Sequence, residues 1–396
     1  MPVKTIEFKE GVSRRDFCKI LSVGGVTATL TPVLIKSLYS QSTPPPAKPA
    51  TNIQDALKIP RTPDSMPGKY PGRVAEVYHS KSIVNNKPDL PVVSSMLKSG
   101  MLKLTGAGSL AEAWRQFVSP KDIVGLKVNP VAGKLLSTSL EIVQAVIKQL
   151  TAAGIPRENI IIWDRREFEL HEVGFTEKNF PGIKITGTEK KDAQGSFYNA
   201  EGKLYGETMI DRSCYYWADC EMEYDKETLP YMINEGKYSY FSNIATRDVT
   251  KIINIPILKN AGPTVTLCLK NLAYGVISNT ARLHKQLWSE TCAQVPCFQP
   301  LRDKVVLNIA DGIRGCYDGG PGAKPQFITD YNTLLVGSDP VAVDRVGYEI
   351  VLKKRLKEKI QKAESPRGCG FMNMAQEYGL GVADLEKISR RKLMLG

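Results

Sequence analysis

Between residues 123 and 164 a strand, a helix and a second strand follow one another so closely that a parallel pair is the arrangement they fit. Ile123-Val124-Gly125-Leu126-Lys127-Val128-Asn129 reads as an apolar strand. A loop through Pro130, Gly133 and Ser137 follows. Thr138 then opens a helix, with Glu141 three residues on in the spacing of a capping box. Ile142, Val143, Val146, Ile147 and Leu150 recur at helical spacing and give that helix one apolar stripe. Gly154 and Pro156 end it. Ile160-Ile161-Ile162-Trp163-Asp164 is the second strand. A crossover of this length returns the chain beside its first strand and parallel to it.

The pattern recurs. Arg73-Val74-Ala75-Glu76-Val77 alternates as a first strand, and residues 90–117 read as two helices. Residues 251–258 read as a strand in which Pro256 demands an edge or a bulge. A helix is expected over residues 264–277, and strands over 305–310 and 333–337. Ser338-Asp339-Pro340 then opens a last long helix with a cap and a first-turn proline. The fold class expected is α/β, a mainly parallel sheet flanked by helices in βαβ units. Residues 187–240, rich in tyrosine, form an irregular or β-rich insertion. One domain is expected over residues 76–396, after a Pro-rich linker at 43–75.

In an open parallel sheet, ligands bind beyond the carboxyl ends of the strands. Those ends carry Lys127 and Asn129, then Asp164 and Arg165, then Lys259 and Asn260, then Asp311, then Ser338 and Asp339. Lys127 shares a face with Gly125 and Asn129, so helices covering the sheet would desolvate it and favour an anionic partner or a lowered pKa. A lysine snorkelling to the sheet edge fits the pattern as well. Helix N-termini at Thr138 and near Thr264 would offer free N–H groups to a phosphate or carboxylate, with Lys259, Lys270 and Asn271 nearby. The glycine-rich run holding Gly319 and Gly320 permits close backbone approach, and reads equally as a tight turn. His284 is a candidate ligand or acid–base group, along with Lys127 and Asp311. Asp164, Asp311, Asp339 and Asp344 could form an oxygen-rich metal site, although Asp339 reads equally as a helix cap. No nucleophile elbow is visible.

The N-terminus is a separate object. Ser13-Arg14-Arg15-Asp16-Phe17-Cys18-Lys19 precedes a moderately apolar stretch broken by Gly24, Gly25 and Pro32. This is the layout of a twin-arginine export signal, with a cleavage site near Ser42. The expected location is therefore periplasmic or cell-surface, with the twin-arginine translocase as a transient partner. The chain of 396 residues carries a net charge of +12; residues 1–42 hold six basic and three acidic residues, so the remainder stands at +9. A basic balance favours anionic ligands, and no basic-aromatic nucleic-acid module appears. Seven of the eight cysteines follow the signal, and Cys214–Cys220 and Cys292–Cys297 are short-loop disulfide candidates. No CxxC run for a cluster or haem occurs.

Four segments together resemble the family known as domain of unknown function 362. They are Val124-Gly125-Leu126-Lys127-Val128-Asn129, Val265-Thr266-Leu267-Cys268-Leu269-Lys270-Asn271, Ala310-Asp311-Gly312 with Gly319-Gly320-Pro321-Gly322, and residues 335–344 ending Val343-Asp344. Many members look like exported twin-arginine substrates. Some relatives carry a ferredoxin-like iron–sulfur module, whose cysteine run this chain lacks.

The first functional reading is an exported domain that binds or acts on a small anionic molecule. Lys127, Asn129, Lys259, Asn260 and Lys270 would hold the anion, with Asp164 and Arg165 at the rim. The second is a redox accessory protein that carries a cofactor or docks with a membrane electron-transfer complex. The third is an assembly protein without a small-molecule site.

Overall fold

The structure is a computed structural model and describes residues 47–233, 236–262, 264–360 and 368–396. The twin-arginine run and Ser42 lie outside them. Contacts divide the chain into Met1–Lys48 and Pro49–Gly396, and the description below concerns the second unit. Among the described residues no helix is long and apolar enough to cross a membrane.

Ten strands form the main sheet: β1 (Arg73–Tyr78), β2 (Val124–Lys127), β3 (Ile160–Arg166), β4 (Lys184–Glu189), β5 (Lys251–Asn254), β6 (Ile257–Ala261), β7 (Thr264–Thr266), β8 (Val305–Cys316), β9 (Ile328–Gly337) and β10 (Ser389–Met394). Their order is β10-β1-β9-β8-β5-β2-β3-β4, with β6 pairing β7 and β8. The run from β8 through β4 is parallel, as the crossover spacing requires. Helices α1 (Leu90–Thr105) and α2 (Leu140–Ala152) cover one face; α3 (Cys268–Val276) and α4 (Pro340–Lys357) cover the other. Alternation along β2 sends Val124 and Leu126 into the first core, while Trp163 and Ile161 of β3 join the second.

Four differences from the sequence expectations matter for the site. Pro256 cannot donate to a ladder, so the expected single strand divides into β5 and β6 around it. The helix expected from residue 264 begins at Cys268, because Thr264–Thr266 turns back as β7 against β6. Strand β8 runs on to Cys316, so Asp311 lies within it. Strand β9 is antiparallel to β8, pairing Gly337 with Asn308 and Ile328 with Cys316. Ser338 and Asp339 therefore leave the sheet in the opposite direction from the other candidate residues.

The expected tether is also shorter. From Pro49 onward the chain packs on the domain: helix Ile53–Lys58 buries Ile53 and Ala56, and the Asn52 side-chain oxygen accepts from Trp217 N at 2.8 Å. Buried Arg302 donates to the carbonyls of Ile59 and Pro60, at 2.9 Å each. The insertion contains a hairpin of Ile210–Trp217 with Tyr238–Ser242.

Candidate functional site

Beyond the carboxyl ends of β2, β3 and β6 lies a cleft of about 100 Å³. Its lining includes Asn129, Asp164, Arg165, Lys259, Lys270, Asn271 and His284 from the sequence-predicted set, and Arg166, Glu169, Thr266, Tyr274 and Gly275 besides. The strand ends converge because β2 and β3 are in register, Lys127 opposite Trp163. The β6–β7 turn-back adds Lys259 and Thr266 as direct partners.

Under the cleft, Lys127 is fully buried and pairs with the Asp164 carboxylate. Its ammonium also donates to Val128 O at 3.0 Å and Asn271 Oδ1 at 3.2 Å. Burial pulls the Lys127 pKa down, and the Asp164 charge opposes it. Helix α3 approaches this pair at Gly275, where a Cβ would meet the Lys127 ammonium. Lys127 is thus the floor of the site and does not line it.

A row of amides crosses the sheet from there. Lys259 Nζ donates to Asn129 Oδ1 (3.2 Å), Asn129 Nδ2 to Asn271 Oδ1 (3.1 Å), and Asn271 Nδ2 to Asn254 Oδ1 (2.8 Å). Asn254 Nδ2 donates to Asn308 Oδ1 (2.9 Å), and Asn308 Nδ2 to Ser338 O (3.1 Å). All four asparagines are buried, and each oxygen and nitrogen in the row is satisfied by the next.

The lysines facing the cleft are placed differently. Lys259 is fully buried, and Lys270 is 6% exposed. Lys259 has the Asn129 bond. Lys270 lies over the Tyr274 and Trp288 rings, 5.6 and 5.3 Å from their centroids. Among the described residues neither forms an ion pair with a carboxylate. Desolvation, and then the charge of Lys270, push the Lys259 pKa down to about 7. Desolvation lowers that of Lys270 as well. The Thr266 hydroxyl, beside Lys259, is buried without a hydrogen-bond partner, as is Glu169 Oε2.

Arg165 donates to Tyr274 O at 3.2 Å and to the Thr280 hydroxyl, and pairs with Glu189 at 3.3 Å. Arg166 bridges Glu169 (2.7 Å) and Glu189 (2.9 Å). His284 Nδ1 lies 2.9 Å from Thr280 O. A carbonyl only accepts, so Nδ1 carries the proton and Nε2 the lone pair. The residue as a whole is exposed, yet its ring sits 4.0 Å from the Tyr274 centroid. That crowding, and then Lys270, lower its pKa, so the imidazole is neutral.

Other predicted residues serve the fold. Thr138 does not cap α2: its hydroxyl accepts from Asn129 N (2.9 Å) and donates to Ile255 O (2.7 Å), and Ser139 is the cap residue. Asp311 accepts from Ser139 N at 2.9 Å and Ser139 Oγ at 2.7 Å, which places it on the α2 N-terminus. Asp344 accepts from Cys268 N and Leu269 N, at 2.6 and 3.0 Å, at the start of α3. Both helix N-termini expected to receive an anion are therefore occupied by the protein's own carboxylates. Asp339 caps α4 and holds Gly72 N at 2.9 Å, away from the cleft. The four aspartates have separate partners, and no group of metal-ligating side chains occurs among the described residues. Asn260 Oδ1 accepts from Gly320 N at 2.7 Å and so ties down the glycine-rich loop. Gly319 packs on Lys324 and Phe327. The seven described cysteines are free thiols, including both expected pairs.

Fold and site define a mainly parallel α/β domain with a lysine-lined cleft at its carboxyl edge. The chain belongs to the family named domain of unknown function (DUF362), whose model matches residues 124–349. No curated protein matches it. Among solved structures, it is similar to a Thermotoga maritima protein determined by a structural-genomics consortium. Identity is 9% over 68% of this chain, with a TM-score of 0.36, and the chain spans 60% of that protein.

Proposed function

We propose that this is an exported domain that binds, or acts on, a small anionic ligand in the cleft. The observation that carries the reading is a charge balance. Lys127 is matched by Asp164, and Arg165 and Arg166 by Glu189 and Glu169. Lys259 and Lys270 remain, buried and without acidic partners among the described residues. A buried ammonium without a counter-ion is costly, and a phosphate or carboxylate between the two would offset both. The orphaned Thr266 hydroxyl would donate to the same group. Neutral His284 adds a lone pair at the rim for accepting a proton or a ligand hydroxyl.

Isothermal titration with inorganic phosphate, sulfate and citrate tests the reading at pH 6.5 and 8.5. One anion is expected to bind with one-to-one stoichiometry. Because Lys259 is half-deprotonated near pH 7 when empty, binding should take up protons and weaken as pH rises. Lys259→Met and Lys270→Met should each abolish binding; absence of heat with every anion would overturn the proposal. Export is tested separately, by cell fractionation of the protein with Arg14 and Arg15 changed to Lys, which should remain in the cytoplasm.

A further inference from the structure

Beside the lysine cleft lies a second hollow of about 240 Å³, which shares Lys270, His284 and Pro321 with it. Its other walls are of a different character: Ala261, Gly262, Thr264, Trp288 and Gly320. Trp288 is fixed there by Phe371, which meets it edge-on at 5.4 Å, and by the Lys270 ammonium above its ring. Another wall is the Gly320–Pro321 segment, tied to β6 through the Gly320–Asn260 bond. A Cβ at Gly320 would run into the Asn260 carbonyl, so the loop lies as close to the strand as a backbone can. The hollow thus has an indole and a proline ring among its walls, and it shares an ammonium and an imidazole with the cleft.

Resting on the anion reading above, we infer that the ligand is bipartite. An anionic head sits between Lys259, Thr266 and Lys270, and an apolar or aromatic body lies in the hollow lined by Trp288 and Pro321. Neither inorganic phosphate nor a short carboxylate fills both compartments, whereas an aryl-substituted anion does. The head supplies charge neutralisation, and the body supplies apolar burial.

Matched anion pairs test this on the full chain: inorganic phosphate against phenyl phosphate and 1-naphthyl phosphate, and acetate against benzoate. The expected result is that each aryl partner binds roughly tenfold to a hundredfold more tightly than its head alone, the range that burial of one ring supplies. In Trp288→Leu the ratio within each pair should fall toward one. Equal affinities within every pair for the wild type would overturn the bipartite ligand while leaving the anion reading intact. Binding by none of the heads or aryl anions would instead overturn the anion reading itself. An undiminished ratio in a folded Trp288→Leu would remove the indole from the body site.

Discussion

Replacing Lys259 by methionine should stabilise the empty protein, because the site holds a charge that the fold alone does not want. The native pKa is about 7 against an ordinary 10.5, which at about 1.4 kcal/mol per unit is a penalty of roughly 5 kcal/mol below pH 7. Methionine is of similar length and carries no charge. Its cost is an Asn129 Oδ1 left without the Lys259 donor, roughly 1–3 kcal/mol. The variant should therefore be more stable by roughly 2–4 kcal/mol at pH 6. The sign of the pH dependence follows from the lowered pKa. Between pH 7 and 10.5 the native lysine is neutral while the unfolded one still binds a proton, so wild-type stability rises with pH. By pH 9 the advantage should have shrunk by roughly 3 kcal/mol. Urea unfolding of both proteins at pH 6 and 9, in buffers free of phosphate and sulfate, measures the gap. A methionine variant less stable than wild type at pH 6, with a gap unchanged at pH 9, would refute the reasoning. Adding a saturating anion should restore stability to the wild type only.

Three further outcomes are expected. Gly275→Ala places a methyl against the Lys127 ammonium, with Asp164 Oδ1 at 3.3 Å, and should cost about 1–3 kcal/mol by thermal unfolding. Asp311→Ala strips the acceptor from Ser139 and should cost about 1–3 kcal/mol while leaving anion affinity within about twofold by titration; loss of binding in a folded variant would return Asp311 to the site. Asn271→Leu leaves Asn129 Nδ2 and Asn254 Oδ1 without the partners they have now. It should cost about 2 kcal/mol or more and also weaken anion binding, since Lys259 loses its fixed anchor.

Much of this was legible in the sequence for a physical reason. Crossover length dictates parallel pairing, so β2, α2 and β3 could be read in order, and with them the edge where Lys127, Asn129 and Asp164 meet. Lys259 follows from the same rule, and Lys270 from its nearness to the helix N-terminus expected near Thr264. The direction of β9 was not legible, because a strand of Leu and Val looks alike either way. That single reversal turns Asp339 away from the cleft, toward Gly72 before β1. Helix N-termini looked vacant because Asp311 and Asp344 cap helices remote in sequence. Thr266 was missed because its place arises from the β7 turn-back, and Glu169 because it sits on the short helix Glu167–Glu172 after β3, which no local pattern announces.

The amide row has a direction, and that direction is set by groups outside the row itself. At one end stands the Ser338 carbonyl, which can only accept. Asn308 must therefore offer its nitrogen there, and each amide in turn must present its oxygen to the one before, up to Asn129 Oδ1 facing Lys259. The Ser338 carbonyl beyond β9 and the Lys127 ammonium, which also donates to Asn271 Oδ1, thus impose the same polarity on the row from two points. Whatever its protonation state, Lys259 meets an oxygen and never an N–H, so the row always favours the proton that burial tends to remove. The lysine is poised between two parts of its own protein, and an arriving anion needs only to tip that balance.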